Sequence, residues 1–131
     1  MPATGIVLPD LVGIAGLKPL RIAVQTRFTK TGQQFLRSDV CPPGKLWYIG
    51  YTSVGFNVGD VSDCLVEIED ANDTRKAILA MFPDLTMAKT ENLFATYWIG
   101  PGEKLAVRFN VVTTSPTCWL TALGFELVFS G

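Results

Sequence analysis

The side chains that could do chemistry in this sequence are concentrated in one acidic stretch. Glu67, Glu69, Asp70 and Asp73 lie close together, with Asn72 between them. Carboxylate and amide oxygens bind hard cations such as Ca²⁺, but the spacing does not match an EF-hand loop. Paired carboxylates also hydrolyse glycosides at a suitable separation, which no feature of the sequence fixes here. We therefore expect a solvated strand end closed by an Asx-type turn, and no metal site.

Histidine is absent from the sequence. Its absence removes the commonest general base, the Ser-His and Cys-His nucleophile pairs and every histidine-ligated metal site. The sequence also has no G-x-S-x-G elbow, P-loop or G-x-G-x-x-G motif. We expect a protein that is not an enzyme and that binds no cofactor.

The three cysteines, Cys41, Cys64 and Cys118, fit neither a zinc motif nor a redox C-x-x-C pair. Three reduced and mostly buried thiols are expected. The alternative is one disulfide with a leftover thiol, which would need an oxidising environment.

The amino-acid composition limits the kinds of partner that the protein can bind. The 131 residues carry 11 Lys and Arg against 12 Asp and Glu, so a nucleic-acid partner is disfavoured. Hydrophobic residues make up 48% and charged residues 18%, which suggests that some apolar surface faces another chain. The apolar N-terminus lacks the basic start of a signal peptide, and no run is long enough to span a membrane. We expect a soluble protein made in the cytoplasm.

Aromatic residues offer a further alternative. An exposed platform of them on a β-sandwich could stack on sugar rings, although core or interface packing explains them more simply. The candidates are Trp47, Tyr48, Tyr51, Tyr97, Trp98 and Trp119.

The elements that must position these residues are strands. From residue 20 onward, short β-rich runs alternate with turn residues, as is typical of an all-β sandwich or barrel. Residues 20–28 and 105–111 show clean alternation of apolar and polar positions. Eight strands in about 110 residues is the number expected of an antiparallel jelly-roll-like sandwich.

The N-terminal residues differ from the rest. Residues 1–19 contain Pro2, Pro9 and Pro19 and few charges, so they predict an extended arm ahead of a sandwich domain at residues 20–131. The arm's aliphatic side chains should lie on an apolar surface, either of their own domain or of a neighbouring subunit.

Two strands have no plainly polar face. In residues 45–56, Leu46, Tyr48, Val54 and Phe56 oppose Trp47, Ile49 and Tyr51. In residues 118–129, a row of large apolar side chains opposes Cys118, Leu120, Ala122 and Val128. Both faces of these strands need cover, which favours a homo-oligomer.

Two Pro-Gly corners carry a family resemblance. The segments CPPGKLWYI at residues 41–49 and GPGEKLAV at residues 100–107 each feed an alternating apolar strand, and a long final strand follows the second. This pattern resembles the small jelly-roll decoration (cement) proteins of tailed bacteriophage capsids. The resemblance extends over residues 20–130 and brings no catalytic residues with it.

The resemblance implies a structural virion protein that binds and stabilises a capsid. It implies a homo-oligomer, with a trimer expected, and the major capsid protein as partner, with no nucleic acid and no membrane. The protein would be made in the host cytoplasm and lie on the capsid surface. The alternatives are a carbohydrate- or receptor-binding sandwich module and a tail or connector component. The residues expected to contact subunits or capsid are Ile6, Val7, Leu8, Leu11, Val12, Ile14, Leu17, Trp47, Tyr51 and Leu120.

Overall fold

The computed structural model describes residues 14–113 and 115–129. Within these ranges the chain forms nine strands and no helix, so no helix there could cross a membrane. The strands are β1 (Ile14–Arg27), β2 (Gly32–Arg37), β3 (Lys45–Asn57), β4 (Val61–Asp70), β5 (Arg75–Phe82), β6 (Glu91–Leu93), β7 (Tyr97–Ile99), β8 (Glu103–Val111) and β9 (Thr117–Phe129). The predicted all-β class is confirmed.

Two antiparallel sheets form the sandwich. The first sheet has the order β1-β9-β3-β6, with β7 also paired to β3, and the second sheet has the order β2-β8-β4-β5. β6 and β7 pair with successive parts of β3, so together they make one interrupted edge strand. Counted in this way, eight strands form two four-stranded sheets in the jelly-roll order, as predicted.

The core lies between the sheets. Leu105, Val107 and Phe109 of β8 all point inward and are fully buried, as their alternation predicts. In β9 the buried apolar side chains are those of Cys118, Leu120 and Ala122. The aromatic side chains of Trp119 and Phe125 are on the opposite side of the strand.

A β-bulge divides β3. The pairing of β3 with β9 shifts between Ile49 and Tyr51, which leaves Gly50 as an extra residue. An extra residue inverts the alternation of the strand. The inward residues are odd-numbered before the bulge and even-numbered after it: Trp47, Ile49, Thr52, Val54 and Phe56. The prediction that Leu46 and Tyr48 share a face with Val54 and Phe56 was therefore wrong.

β1 crosses the boundary predicted at residue 19. Its first residues pair with the end of β9, and Pro19 lies opposite Phe125. Proline is tolerated here because β1 is an edge strand, on which a missing N–H need not interrupt a ladder. The rest of the predicted arm, residues 1–13, lies outside the described residues.

Candidate interaction surface

The outward side of the first sheet carries three successive rows of mainly apolar residues. Residues paired across strands point to the same face, so the register defines each row. The rows are Leu17, Leu127 and Leu46; Pro19, Phe125, Tyr48 and Trp98; and Arg21, Leu123 and Tyr51. We name their apolar side chains the apolar face: Leu17, Leu46, Tyr48, Tyr51, Trp98, Leu123, Phe125 and Leu127.

Several large side chains of the apolar face are open to solvent. Leu17 is 63% exposed, Trp98 and Phe125 are each 45% exposed, and Leu123 is 43% exposed. The rings of Tyr48 and Trp98 pack at 4.6 Å between centroids, which holds the Trp98 indole against the sheet. The face is thus an ordered apolar surface whose side chains pack against one another.

Phe94 extends the apolar face at the interruption between β6 and β7. Its ring packs on Tyr51 at 5.6 Å and is 73% exposed. The Tyr51 hydroxyl donates a hydrogen bond of 2.6 Å to Asn92 Oδ1, which fixes the tyrosine ring. The bulge at Gly50 is what turns Tyr51 outward to meet Phe94.

The area of the apolar face is similar to that of the largest apolar patch on a typical monomer. Four strands spaced by about 4.8 Å, and rows covering five residues at about 3.3 Å each, give roughly 300 Å². Monomeric soluble proteins rarely expose contiguous apolar patches larger than a few hundred Å², and such patches often bind partners. The face is therefore a candidate interaction surface.

A close backbone approach fixes the centre of the apolar face. A Cβ atom at Gly124 would lie 1.8 Å from the carbonyl oxygen of Tyr48 and 2.9 Å from Ile49 Cα. Only glycine leaves β9 room beside the bulged part of β3. The contact sets the positions of Tyr48 and of Phe125, which follows Gly124 in β9.

A cluster of one buried carboxylate and two partly exposed lysines joins three strands, β1, β3 and β9. Glu126 of β9 accepts a 2.9 Å hydrogen bond from Trp47 Nε1, and its carboxylate lies 3.4 Å from the ammonium groups of Lys18 and Lys45. The indole hydrogen bond, and then the two lysines, hold the pKa of Glu126 below its ordinary value. The cluster stabilises the sheet that carries the apolar face.

The predicted contact residues separate into four groups. Leu17 and Tyr51 belong to the apolar face, whereas Trp47 and Leu120 point inward and are buried. Ile14 begins β1. Those outside the described residues are Ile6, Val7, Leu8, Leu11 and Val12.

Sequence reasoning did not select Phe125, Leu123 and Trp98, which are prominent in the apolar face. The signal that pointed to Leu123 and Phe125 was the apolar character of both sides of residues 118–129, whereas Trp98 was considered only for sugar stacking. Which side faces the core depends on the partner sheet, and one strand's pattern does not contain that information.

The aromatic residues considered for sugar stacking are divided by the fold. Trp47 and Tyr97 are buried between the sheets, and the Tyr97 hydroxyl lies 2.5 Å from Thr52 Oγ1. Tyr48 and Trp98 lie on the outward side. Trp119 also points outward, where its ring covers Gly55.

The acidic stretch is neutralised by basic side chains. Glu69 accepts a 2.8 Å hydrogen bond from Arg37, and Glu67 accepts one of 3.0 Å from Arg75. Asp73 pairs with Lys104. Burial raises the pKa of Glu69 even though Arg37 opposes the shift. In the described part of the chain, no group of three or more His, Cys, Asp or Glu is arranged to hold a metal ion.

Glu67 and Glu69 are buried, so the expected solvated strand end was wrong, whereas the turn that follows matches its prediction. The Asp70 carboxylate accepts hydrogen bonds from the backbone N–H groups of Asn72 at 2.8 Å and Thr74 at 3.0 Å. This is the expected Asx-type arrangement.

All three cysteines are free and buried. Burial raises the pKa of Cys41 to about 11 and that of Cys64 and Cys118 to about 12. Thiols with such pKa values are poor nucleophiles at neutral pH. Their role is packing in the core.

Comparisons with known proteins give likeness of fold only. No protein-family model matches the chain, and no curated protein sequence matches it. A chain of infectious bursal disease virus has a TM-score of 0.48 and 11% identity, with 99% of this chain aligned to 37% of that one. This chain thus spans little more than a third of that viral chain.

Two other solved structures are similar over most of both chains. The capsid structure of Helicobacter pylori bacteriophage KHP30 gives a TM-score of 0.48 and 15% identity, covering 87% of this chain and 100% of that one. A xylan-binding domain from Paenibacillus barcinonensis has a TM-score of 0.41 and 16% identity. The alignment covers 89% of this chain and 85% of that one. Viral capsid structures and a carbohydrate-binding module are thus both among the structures that this chain resembles.

Proposed function

We propose that this protein is a structural, non-enzymatic component of a virion. In this proposal it binds and stabilises a tailed-bacteriophage capsid as a decoration (cement) protein. It attaches to the major capsid protein at the capsid surface through the apolar face and acts as a homo-oligomer, with a trimer expected. The observation that carries the proposal is the apolar face itself, an ordered outward sheet surface with four large side chains more than two fifths exposed.

The energy available from the apolar face supports a multivalent attachment. Burying about 300 Å² of apolar surface contributes roughly 7 kcal/mol at about 25 cal/mol per Å². The association of two proteins costs about 4 to 15 kcal/mol in lost freedom, so one face alone gives weak binding. When copies are joined in an oligomer, each copy that binds the capsid after the first loses much less translational and rotational freedom. This is why we place an oligomer, rather than a monomer, on the capsid.

Capsid occupancy tests the proposal. Capsids lacking the protein, obtained by deleting its gene from the virus that encodes it, are mixed with purified protein and sedimented. We expect wild-type protein to fill its sites and Phe125→Asp to lose at least tenfold in affinity. Met81→Asp is the matched control, because Met81 is 57% exposed on the outward side of the second sheet. Equal occupancy by the wild type and Phe125→Asp would contradict the proposal, as would absence of wild-type binding.

A second candidate function is carbohydrate binding at the same face. The observation that favours it is the Tyr48–Trp98 ring pair beside the exposed Phe125 ring. Aromatic rings held in this way can stack on sugars. A xylohexaose titration followed by tryptophan fluorescence tests it: Trp98→Ala would abolish a sugar response that Leu123→Ala keeps. A wild-type protein that gives no response would exclude a xylan-type ligand.

A further inference from the structure

A second candidate site lies at the side of the sandwich where β1 and β2 are the edge strands of the two sheets that the described residues form. It is a cleft of about 430 Å³, lined by residues 20–24 of β1, residues 37–39 at the end of β2, and Trp47. Its volume is within the range of about 300 to 1,000 Å³ that is usual for ligand sites. It is distinct from the apolar face, although Arg21 borders both.

The β1 wall of the cleft is the edge of a strand. Successive side chains of a strand point to opposite faces, so a wall formed by five consecutive residues must present the backbone edge itself. In the described part of the chain, β9 is the one strand that pairs with β1. Alternate residues of the 20–24 segment therefore direct N–H and C=O groups into the cleft. Pro19, which has no N–H, lies directly before this segment.

Ser38 of the β2 wall already uses its N–H and hydroxyl groups in hydrogen bonds within the domain. The Ser38 N–H donates to the carbonyl oxygen of Leu105 at 2.9 Å, and its hydroxyl accepts from the Leu105 N–H at 3.0 Å. The same hydroxyl donates to the carbonyl oxygen of Asp39 at 2.8 Å. The charged groups of this wall are the side chains of Arg37 and Asp39.

The charges of the cleft are nearly balanced. Arg37 is paired with Glu69 at 2.8 Å, whereas Arg21 and Asp39 form no ion pair within the described residues. Ile22 and Trp47, both almost fully buried, form an apolar floor. With one unpaired cation and one unpaired anion among the described residues that line it, the cleft does not suit a polyanion.

We propose that this cleft binds an extended polypeptide segment of a protein partner, which adds to the free edge of β1 and places a carboxylate against Arg21. Backbone hydrogen bonds to a free strand edge supply affinity in this mode of recognition, and alternate side chains supply specificity. Five residues at about 3.3 Å each span about 16 Å, enough for a short strand. Apolar side chains on one side of the segment would contact the floor at Ile22.

Amide NMR of the ¹⁵N-labelled full chain tests the proposal with defined peptides. The acidic probe is the blocked peptide TVDVTV, and the basic comparison is TVKVTV. A third peptide, TVDPTV, keeps the charge of the acidic probe but removes one backbone N–H. We expect the acidic probe to shift the amide signals of residues 20–24 and 37–39, and to bind at least threefold more tightly than either of the other two peptides.

Charge reversal supplies the control. Arg21→Glu should reverse the preference, so that TVKVTV binds more tightly than TVDVTV. Arg27→Glu should not, because Arg27 is exposed on the same strand beyond the cleft and its replacement changes the net charge equally. Shifts confined to other residues, no shifts at all, or equal binding of TVDPTV would overturn the proposal. Concentration-dependent broadening of the same amides without peptide would overturn it in favour of a second copy of this chain.

Discussion

Replacing Gly124 with alanine is expected to destabilise the protein far more than the same replacement at Gly50. The new Cβ at residue 124 would lie 1.8 Å from the carbonyl oxygen of Tyr48 and 2.8 Å from its carbonyl carbon. Both atoms are backbone, so no side-chain rotation relieves the overlap and the two strands must separate. Overpacking in a well-packed site costs about 1 to 3 kcal/mol, and we expect a cost of about 3 kcal/mol or more here.

The comparison with Gly50 isolates the steric effect. A Cβ at Gly50 meets no atom within 4 Å, so Gly50→Ala should change the free energy of unfolding by less than about 0.5 kcal/mol. For 131 residues, with an unfolding entropy of about 2.1 cal/mol/K per residue, 3 kcal/mol lowers the Tm by about 10 °C. Urea unfolding and thermal unfolding, both followed by circular dichroism, measure the two variants. A Gly124→Ala protein as stable as Gly50→Ala would refute the register at the bulge.

Three further predictions concern the core, one turn and pH. Phe109→Ala should lower the free energy of unfolding by about 3 to 5 kcal/mol in urea, because the ring is fully buried. Arg108→Ala should lower it by well under about 1 kcal/mol, and equal losses would show that the buried face of β8 is assigned wrongly. Val58→Gly should stabilise the protein by about 1 kcal/mol, because this exposed β-branched residue has a left-handed φ of 67° that strains its backbone. A lower Tm for the variant would show that Val58 is not strained. Glu126→Gln should be less stable than the wild type at pH 7. Because the folded-state pKa of Glu126 is lowered, its contribution is present above the ordinary value of 4.5 and is lost as pH falls through the folded-state pKa, so the difference should shrink in acid urea titrations. A difference independent of pH would show that the carboxylate charge is not what stabilises the sheet.

The regular strands could be predicted from the sequence because their alternation is uninterrupted. In β8 every second residue from Leu105 to Val111 is buried, as its pattern indicates. β3 could not be assigned in the same way, since the bulge at Gly50 inverts its faces. A bulge arises from pairing with β9, and the glycine that makes the close approach, Gly124, lies more than 70 residues away along the chain.

The sequence could predict that an exposed apolar surface exists, but not which residues form it. The pattern of residues 118–129 indicated that both sides of the strand need cover, and the exposure of Leu123 and Phe125 agrees with this. The core accepts Leu120 and Ala122 instead, in the same buried cluster as Phe109 of the facing sheet. Only the packing of two sheets decides which side of β9 remains outside.

Hydroxyl-radical footprinting of the assembled particle shows which side of the protein is covered by the capsid. Free and capsid-bound protein are oxidised under identical conditions, and the rates at Trp98, Phe125 and Met81 are compared by mass spectrometry. If the apolar face is the attachment surface, Trp98 and Phe125 will be protected severalfold on the particle, while Met81 on the second sheet keeps its free rate. Unchanged rates at Trp98 and Phe125, together with protection of Met81, would contradict the account.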